Sequence, residues 1–198
     1  MRLIKLSALF GAALLLLGCF PPTTTHPVGT TAGLINDPTL TGLWRGKMES
    51  SDAGRDVYFH FLPAADGTIT VVLVQAGTEP DGDWSVASIT TAALGPNHFM
   101  NGRMVMSNGK PEDENETAGG TVPLLYRADG QGRLVLFLLD EDAVKAAIKA
   151  HQIAGTVEEG QFGDAKITAD PKALDAFMTS KRGLALFGER FATLTKME

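Results

Sequence analysis

The sequence is poor in the residues that cross-link proteins or arm them for catalysis. One cysteine, Cys19, occurs among 198 residues, and a lone cysteine excludes an internal disulfide, a zinc ribbon and a redox pair together. The four histidines are His26, His60, His98 and His151, and none forms an H-x-x-x-H pair, the spacing that sets two imidazoles on one helix face for zinc. Basic residues are scarce as well: 17 Lys and Arg stand against 23 Asp and Glu, for a net charge of −6. Without clustered Lys and Arg the chain lacks the means to neutralise nucleic-acid phosphates. The same deficit leaves no electrostatic pull toward anionic lipid. There is no P-loop, no G-x-S-x-G elbow and no internal repeat. Paired carboxylates leave no linear signature, and nothing in the sequence points to such a pair. No catalytic residue, cofactor or metal is assigned, and the expectation is a protein that is not an enzyme.

Long apolar runs are missing too. The segment Leu6 to Leu17 holds 12 apolar or small residues, whereas a bilayer-spanning helix needs about 17–25. It follows the basic residues Arg2 and Lys5 and ends at the small residue Gly18, the order of a secretory signal peptide. Pro21, Pro22 and a threonine run come next, which speaks against a core helix here. The stretch Leu16-Leu17-Gly18-Cys19 resembles the lipobox of bacterial lipoproteins. That resemblance implies removal of residues 1–18, diacylation of the Cys19 thiol and, usually, acylation of the new amino terminus. Loss of Arg2 and Lys5 takes the charge from −6 to −8, and Cys19 is no longer available as a nucleophile. Each buried methylene contributes about 0.8 kcal/mol, so two or three chains anchor a protein that one chain holds only marginally. In many Gram-negative lipoproteins an Asp after the cysteine retains the protein in the inner membrane. That position is Phe20 here, so the resemblance implies the outer membrane, with the protein facing the periplasm.

Residues 20–40 are rich in Pro, Thr and Gly and lack apolar periodicity, the composition of a flexible tether. Short alternating runs begin at Thr41. Val57, Phe59 and Phe61 alternate with Tyr58 and His60, and Ala65-Asp66-Gly67 turns that run into TITVVLVQAG, a predicted hairpin. WSVASITTAAL, HFMNGRMVMS, TVPLLYRAD and RLVLFLLD follow, the last two joined by Asp129-Gly130-Gln131-Gly132. Strands recurring after short turns point to an antiparallel meander or barrel. In the last third, Asp140 and Asp170 stand where helix N-caps belong, the second followed by Pro171 at the first helical position. A short third helix is predicted from Lys181 to Phe187, and RFATLTKM returns as a strand.

Gly42-Leu43-Trp44, at the first of these strands, resembles the G-x-W signature of lipocalin-like barrels. The resemblance implies that Trp44 closes a barrel floor beneath a late arginine, for which Arg190 is the candidate; the plainer reading is a core Trp on an edge-forming strand. The acidic run over Glu112, Asp113, Glu114 and Glu116 lacks the ligand spacing and central Gly of an EF-hand and reads as a solvated loop. From DEDAVKAAIKA to FATL the tail is similar to a group of small proteobacterial lipoproteins without an established activity, which implies envelope residence alone.

The expectation is therefore one α+β domain over 41–198. Its strand-rich part is an antiparallel meander or partly closed barrel, and two to three helices fill the C-terminal third. The functional expectation is a membrane-anchored periplasmic lipoprotein that binds a protein partner without catalysis. The alternatives are a small apolar-ligand carrier with a lipocalin-like cavity, or an immunity or inhibitor lipoprotein against a toxin or lytic enzyme. The acyl chains of Cys19 make the membrane itself a partner; nucleic acid is not one.

Overall fold

A computed structural model of the chain describes residues 21–48, 56–75, 83–112, 120–158 and 164–197. Among these residues twelve strands run in chain order as β1 (Thr23–Thr24), β2 (Gly42–Met48), β3 (Asp56–Pro63), β4 (Ile69–Gln75), β5 (Asp83–Leu94), β6 (Asn97–Ser107), β7 (Lys110–Pro111), β8 (Val122–Ala128), β9 (Arg133–Leu138), β10 (Gly155–Val157), β11 (Ala165–Ile167) and β12 (Glu189–Lys196). Helices α1 (Glu141–Lys149), α2 (Pro171–Thr179) and α3 (Lys181–Leu184) lie in the last third, and a 3-10 turn spans Pro38–Leu40.

Eight strands close a ring. Their order is β5-β4-β3-β2-β12-β9-β8-β6, and β5 pairs with β6 to complete the circuit. The barrel is thus fully closed rather than partly so, and β2 is no edge: it pairs with β3 on one side and β12 on the other. Every pairing around the ring is antiparallel. Tight turns at one end explain this order. Asp66 accepts from the Thr68 amide at 3.0 Å and from its hydroxyl at 2.7 Å, fixing the β3–β4 hairpin. Asp129 does the same work for β8–β9 by accepting from the amides of Gln131 and Arg133. At the opposite end Asn108 and Gly109, with φ of 45° and 77°, form the left-handed pair that a two-residue hairpin favours.

Two cores share one wall. The barrel interior holds Trp44, Phe59, Phe61, Ile69, Tyr126 and Leu194 among others. The second core lies between the outer face of the barrel and the helical layer, where Phe99, Leu125 and Phe137 meet Val144, Leu174 and Phe187. This explains the unbroken apolar run Leu134 to Leu139: Leu134 and Leu136 face the barrel interior, whereas Phe137 and Leu139 belong to the outer core. A strand buried on both faces loses its alternation. Asp140 caps α1 by accepting from Ala143 N at 2.7 Å, and Asp170 caps α2 by accepting from Lys172 N and Ala173 N.

The segment expected to be a tether is docked from its first described residues, and this corrects the sequence reading. Pro22 is buried, β1 pairs with β11 in parallel, and Thr24 bridges Thr121. Val28 is fully buried; its N–H donates to Asn101 Oδ1 at 2.7 Å and its carbonyl accepts from Asn101 Nδ2 at 2.9 Å. Gly29, at φ 95°, presses so close to the barrel that a Cβ would lie 2.0 Å from Ala92 Cβ. Its N–H donates to Asp175 Oδ1 at 2.6 Å, and the Thr31 amide and hydroxyl both donate to Asp175 Oδ2. Polar side chains elsewhere in the fold hold this strap, which is why its own composition did not disclose it.

Trimming the chain to Thr41 should therefore be costly. It exposes the barrel where Val28 and Leu40 were buried, each worth about 1.5–3 kcal/mol, and orphans Asn101 and Asp175. A protein beginning at Thr41 should melt at least about 10 °C below one beginning at Phe20; equal midpoints by calorimetry would show that the strap adds nothing.

Candidate functional site

The two ends of the barrel differ, and the difference is the clue to a site. The end bearing the short β3–β4 and β8–β9 turns is sealed. Leu40, from the 3-10 turn, is fully buried there, and Trp44 Nε1 donates to its carbonyl at 2.6 Å. The Trp44 ring lies beneath a cation from the last strand, with Lys196 Nζ 5.3 Å from its centroid, in the register that pairs Lys196 with Trp44. Lys196 thus occupies the place for which Arg190 was the candidate; Arg190 pairs with Phe137 near the other end of β12.

A charged latch completes this floor. Tyr126 Oη donates to Asp37 Oδ2 at 2.6 Å, and Ile35 exchanges backbone hydrogen bonds with Thr91. Burial pushes the Asp37 carboxyl up, but hydrogen bonds from Tyr126 and Thr39 outweigh it and hold the group below its ordinary value. Burial, and then the bond to Asp37, push the Tyr126 phenol well above its own.

At the other end, here called the cup, inward-facing apolar side chains are less fully covered. Leu73 is paired with Phe59, and Leu124 and Leu138 are paired with each other. All three, with Ala87, pack against the interior core, yet all four keep partial solvent exposure. Floor residues on the same faces, such as Phe61, Ile69 and Leu134, are at most 1 % exposed. Polar side chains join this wall on β4, β5 and β6. Leu73, Ser85 and Ser107 are opposed in turn across β4, β5 and β6, and Gln75 stands two residues beyond Leu73 on the same face. Gln75, Ser85 and Ser107 are buried, and neither amide atom of Gln75 nor the Ser107 hydroxyl has a hydrogen-bond partner among the described residues.

The residues singled out from sequence fall elsewhere. Cys19 lies outside the described residues, as do Asp113, Glu114 and Glu116 of the acidic run; Glu112 is half-buried. His60, His98 and His151 are exposed and His26 is half-buried, and no described group of three or more His, Cys, Asp or Glu could hold a metal ion. His98 instead packs on Tyr126, ring centroids 5.5 Å apart. Gln75 and Ser107 were missed because a polar residue at a strand's end reads as the start of a loop. Ser107-Asn108-Gly109-Lys110 also carries the S-x-x-K spacing, but Lys110 is exposed and the Ser107 hydroxyl contacts no partner. A broad surface cleft of about 570 Å³ lies apart from the barrel, between α1 and β10, lined by Lys145, His151 and Glu158 among others. It holds no unpartnered buried polar atom among its described lining. The cup is the stronger site.

Comparison of the chain with protein-family models, with curated proteins and with solved structures found no match.

The floor latch predicts a pH dependence. Asp37 sits below its ordinary carboxylate value, so its contribution to stability is present above about pH 4 and is lost as pH falls through the lowered value. Tyr126→Phe should cost about 1–2 kcal/mol near neutrality. That deficit should shrink on acidification once pH falls below the lowered value and Asp37 is protonated in both proteins. Urea melts at several pH values test this; a deficit constant with pH would mean that the lost hydroxyl matters through packing alone.

Proposed function

We propose that this chain is a lipid-anchored envelope protein, not an enzyme, whose barrel holds a small and largely apolar ligand in the cup opposite its sealed floor. The observation that carries the reading is the partial exposure of inward-facing Leu73, Ala87, Leu124 and Leu138. Apolar side chains on the inside of a closed ring gain about 25 cal/mol per Å² when covered. An apolar molecule entering the cup would supply that cover. Ligand sites are typically concave and apolar, with a few polar groups that set orientation, and Ser85, Ser107 and Gln75 stand in that relation to the aliphatic wall. This reading takes the place of the protein-binding role expected from the sequence.

Two further features support it. The likeness to lipocalin-like barrels rested on Gly42-Leu43-Trp44, and Trp44 does lie in the floor of an eight-stranded antiparallel barrel beneath a cation from the last strand. The lipobox resemblance at Cys19 supplies the anchor and, with Phe20 after it, an outer-membrane address facing the periplasm. The chain is held in the fold from Pro22, three residues after Cys19, a reach of at most about 11 Å. An acylated molecule would ride against the bilayer rather than on a long leash, close to a source of apolar ligands.

Two measurements test the two halves of the proposal. Titration with the uncharged dye N-phenyl-1-naphthylamine should give saturable fluorescence enhancement, and Ala87→Phe, which fills the cup, should remove it. Non-saturable enhancement, unchanged by Ala87→Phe, would argue that the barrel is only a scaffold. Cys19→Ser should move the protein out of the membrane fraction, and the native amino terminus should be Cys19 carrying acyl mass; an unacylated terminus would sink the anchor.

A further inference from the structure

The polar side of the cup narrows the ligand class, on the premise that the cup is a ligand site. Gln75 is 1 % exposed and Ser107 is 7 % exposed, and Gln75 Nε2, Gln75 Oε1 and Ser107 Oγ have no hydrogen-bond partner among the described residues. Buried side-chain polar atoms almost always find partners, and each exception asks for an explanation. Here three such atoms stand on the inner wall of β4 and β6, the two strands that flank β5. Ser107 is opposed to Ser85, and Gln75, opposed to Asp83, is a diagonal neighbour of Ser85, a separation that long side chains bridge.

We infer that the cup takes an uncharged amphiphile, an apolar body bearing a head group that both donates and accepts hydrogen bonds, with Gln75 and Ser107 as its anchors. The chemistry of the wall sets each term. A glutamine amide offers donors and an acceptor together, and a serine hydroxyl offers one of each; a primary amide or an alcohol satisfies both. An anionic head is disfavoured, because one that reached Gln75 would lie beside Asp83, its cross-strand partner. Lys110, opposed to Ser107 across β6 and β7, is exposed to solvent. A charge buried without a partner is expensive. The apolar body would lie against Leu124 and Leu138 of β8 and β9, the strands that follow β6 around the ring.

A competition assay tests the inference. N-phenyl-1-naphthylamine reports occupancy, and decanamide, decanoate at neutral pH and decane are compared as competitors. Decanamide should compete about tenfold better than decane or decanoate. Gln75→Leu should erase that advantage, read as the ratio of the decanamide to the decane competition constant so that any change in dye affinity cancels. The ligand-free Gln75→Leu protein should also melt at or above the temperature of the parent, since two unsatisfied buried atoms have been removed; a purely structural glutamine would give a lower melting temperature. Failure of the dye itself to bind would defeat the ligand-cup reading. Dye binding with equal competition by decanamide and decane, before and after Gln75→Leu, would defeat only the present inference and leave Gln75 and Ser107 to an ordered water. Preference for decanoate would overturn the uncharged head group.

Discussion

A sheet that does not close leaves a row of unpaired backbone groups at each edge, and this protein avoids that only by completing its ring. Two contacts accomplish it: β12 enters between β2 and β9, and β5 meets β6. The sealed floor depends on the first, because Lys196 reaches Trp44 only in that register. The cup depends on the second, because Ser85 and Ser107 face each other only across the β5–β6 pair. Shape, floor and site are three results of one closure.

Closure also gives β6, β8 and β9 two inner faces, one toward the barrel and one toward the helices. The strap over residues 21–41 fastens these halves together. It starts in the small sheet beside the helical layer, leans on Asp175 of α2 and on Asn101 of β6, and ends as the plug of the barrel floor at Leu40. Asp175 is buried and accepts from three donors in the strap, the satisfied form of a group that would otherwise be costly inside a protein. Two polar side chains, one from the shared wall and one from the helical layer, thus do for the strap what a run of apolar residues does for a strand.

How far the sequence disclosed this follows from where each signal resides. Hairpins written locally were legible, since Asp66-Gly67 and Asp129-Gly130 carry their turn chemistry within four or five residues. Asp140 and Asp170 were legible as caps for the same reason. The strap was not, because its partners Asn101, Asp175 and Tyr126 lie 73 to 146 residues away along the chain in the bonds it makes. Full closure was invisible too, since β12 shows nothing of its two neighbours in its own residues. A floor role for Trp44 came only with the lipocalin-like resemblance, beside the plainer reading of a core Trp on an edge-forming strand, and its cation was missed: Lys196 at a strand's end looks like any solvated lysine. The cup's polar wall went unseen because pleat parity decides which way Gln75 and Ser107 point, and parity is known only once register is known.

The position of β12 has a consequence in time. Its partner β2 lies up to 152 residues earlier in the chain, so the seam is a contact of very long loop, the kind that forms late and slowly. Until residues 189–196 arrive, β2 and β9 both present open edges, and the interior leucines and phenylalanines have no last wall. A chain emerging from amino to carboxyl end must pass through that half-built cylinder, the stage at which exposed edges invite aggregation. Of all its moments, the interval before the final strand arrives is when this protein most needs to be kept apart from its own copies.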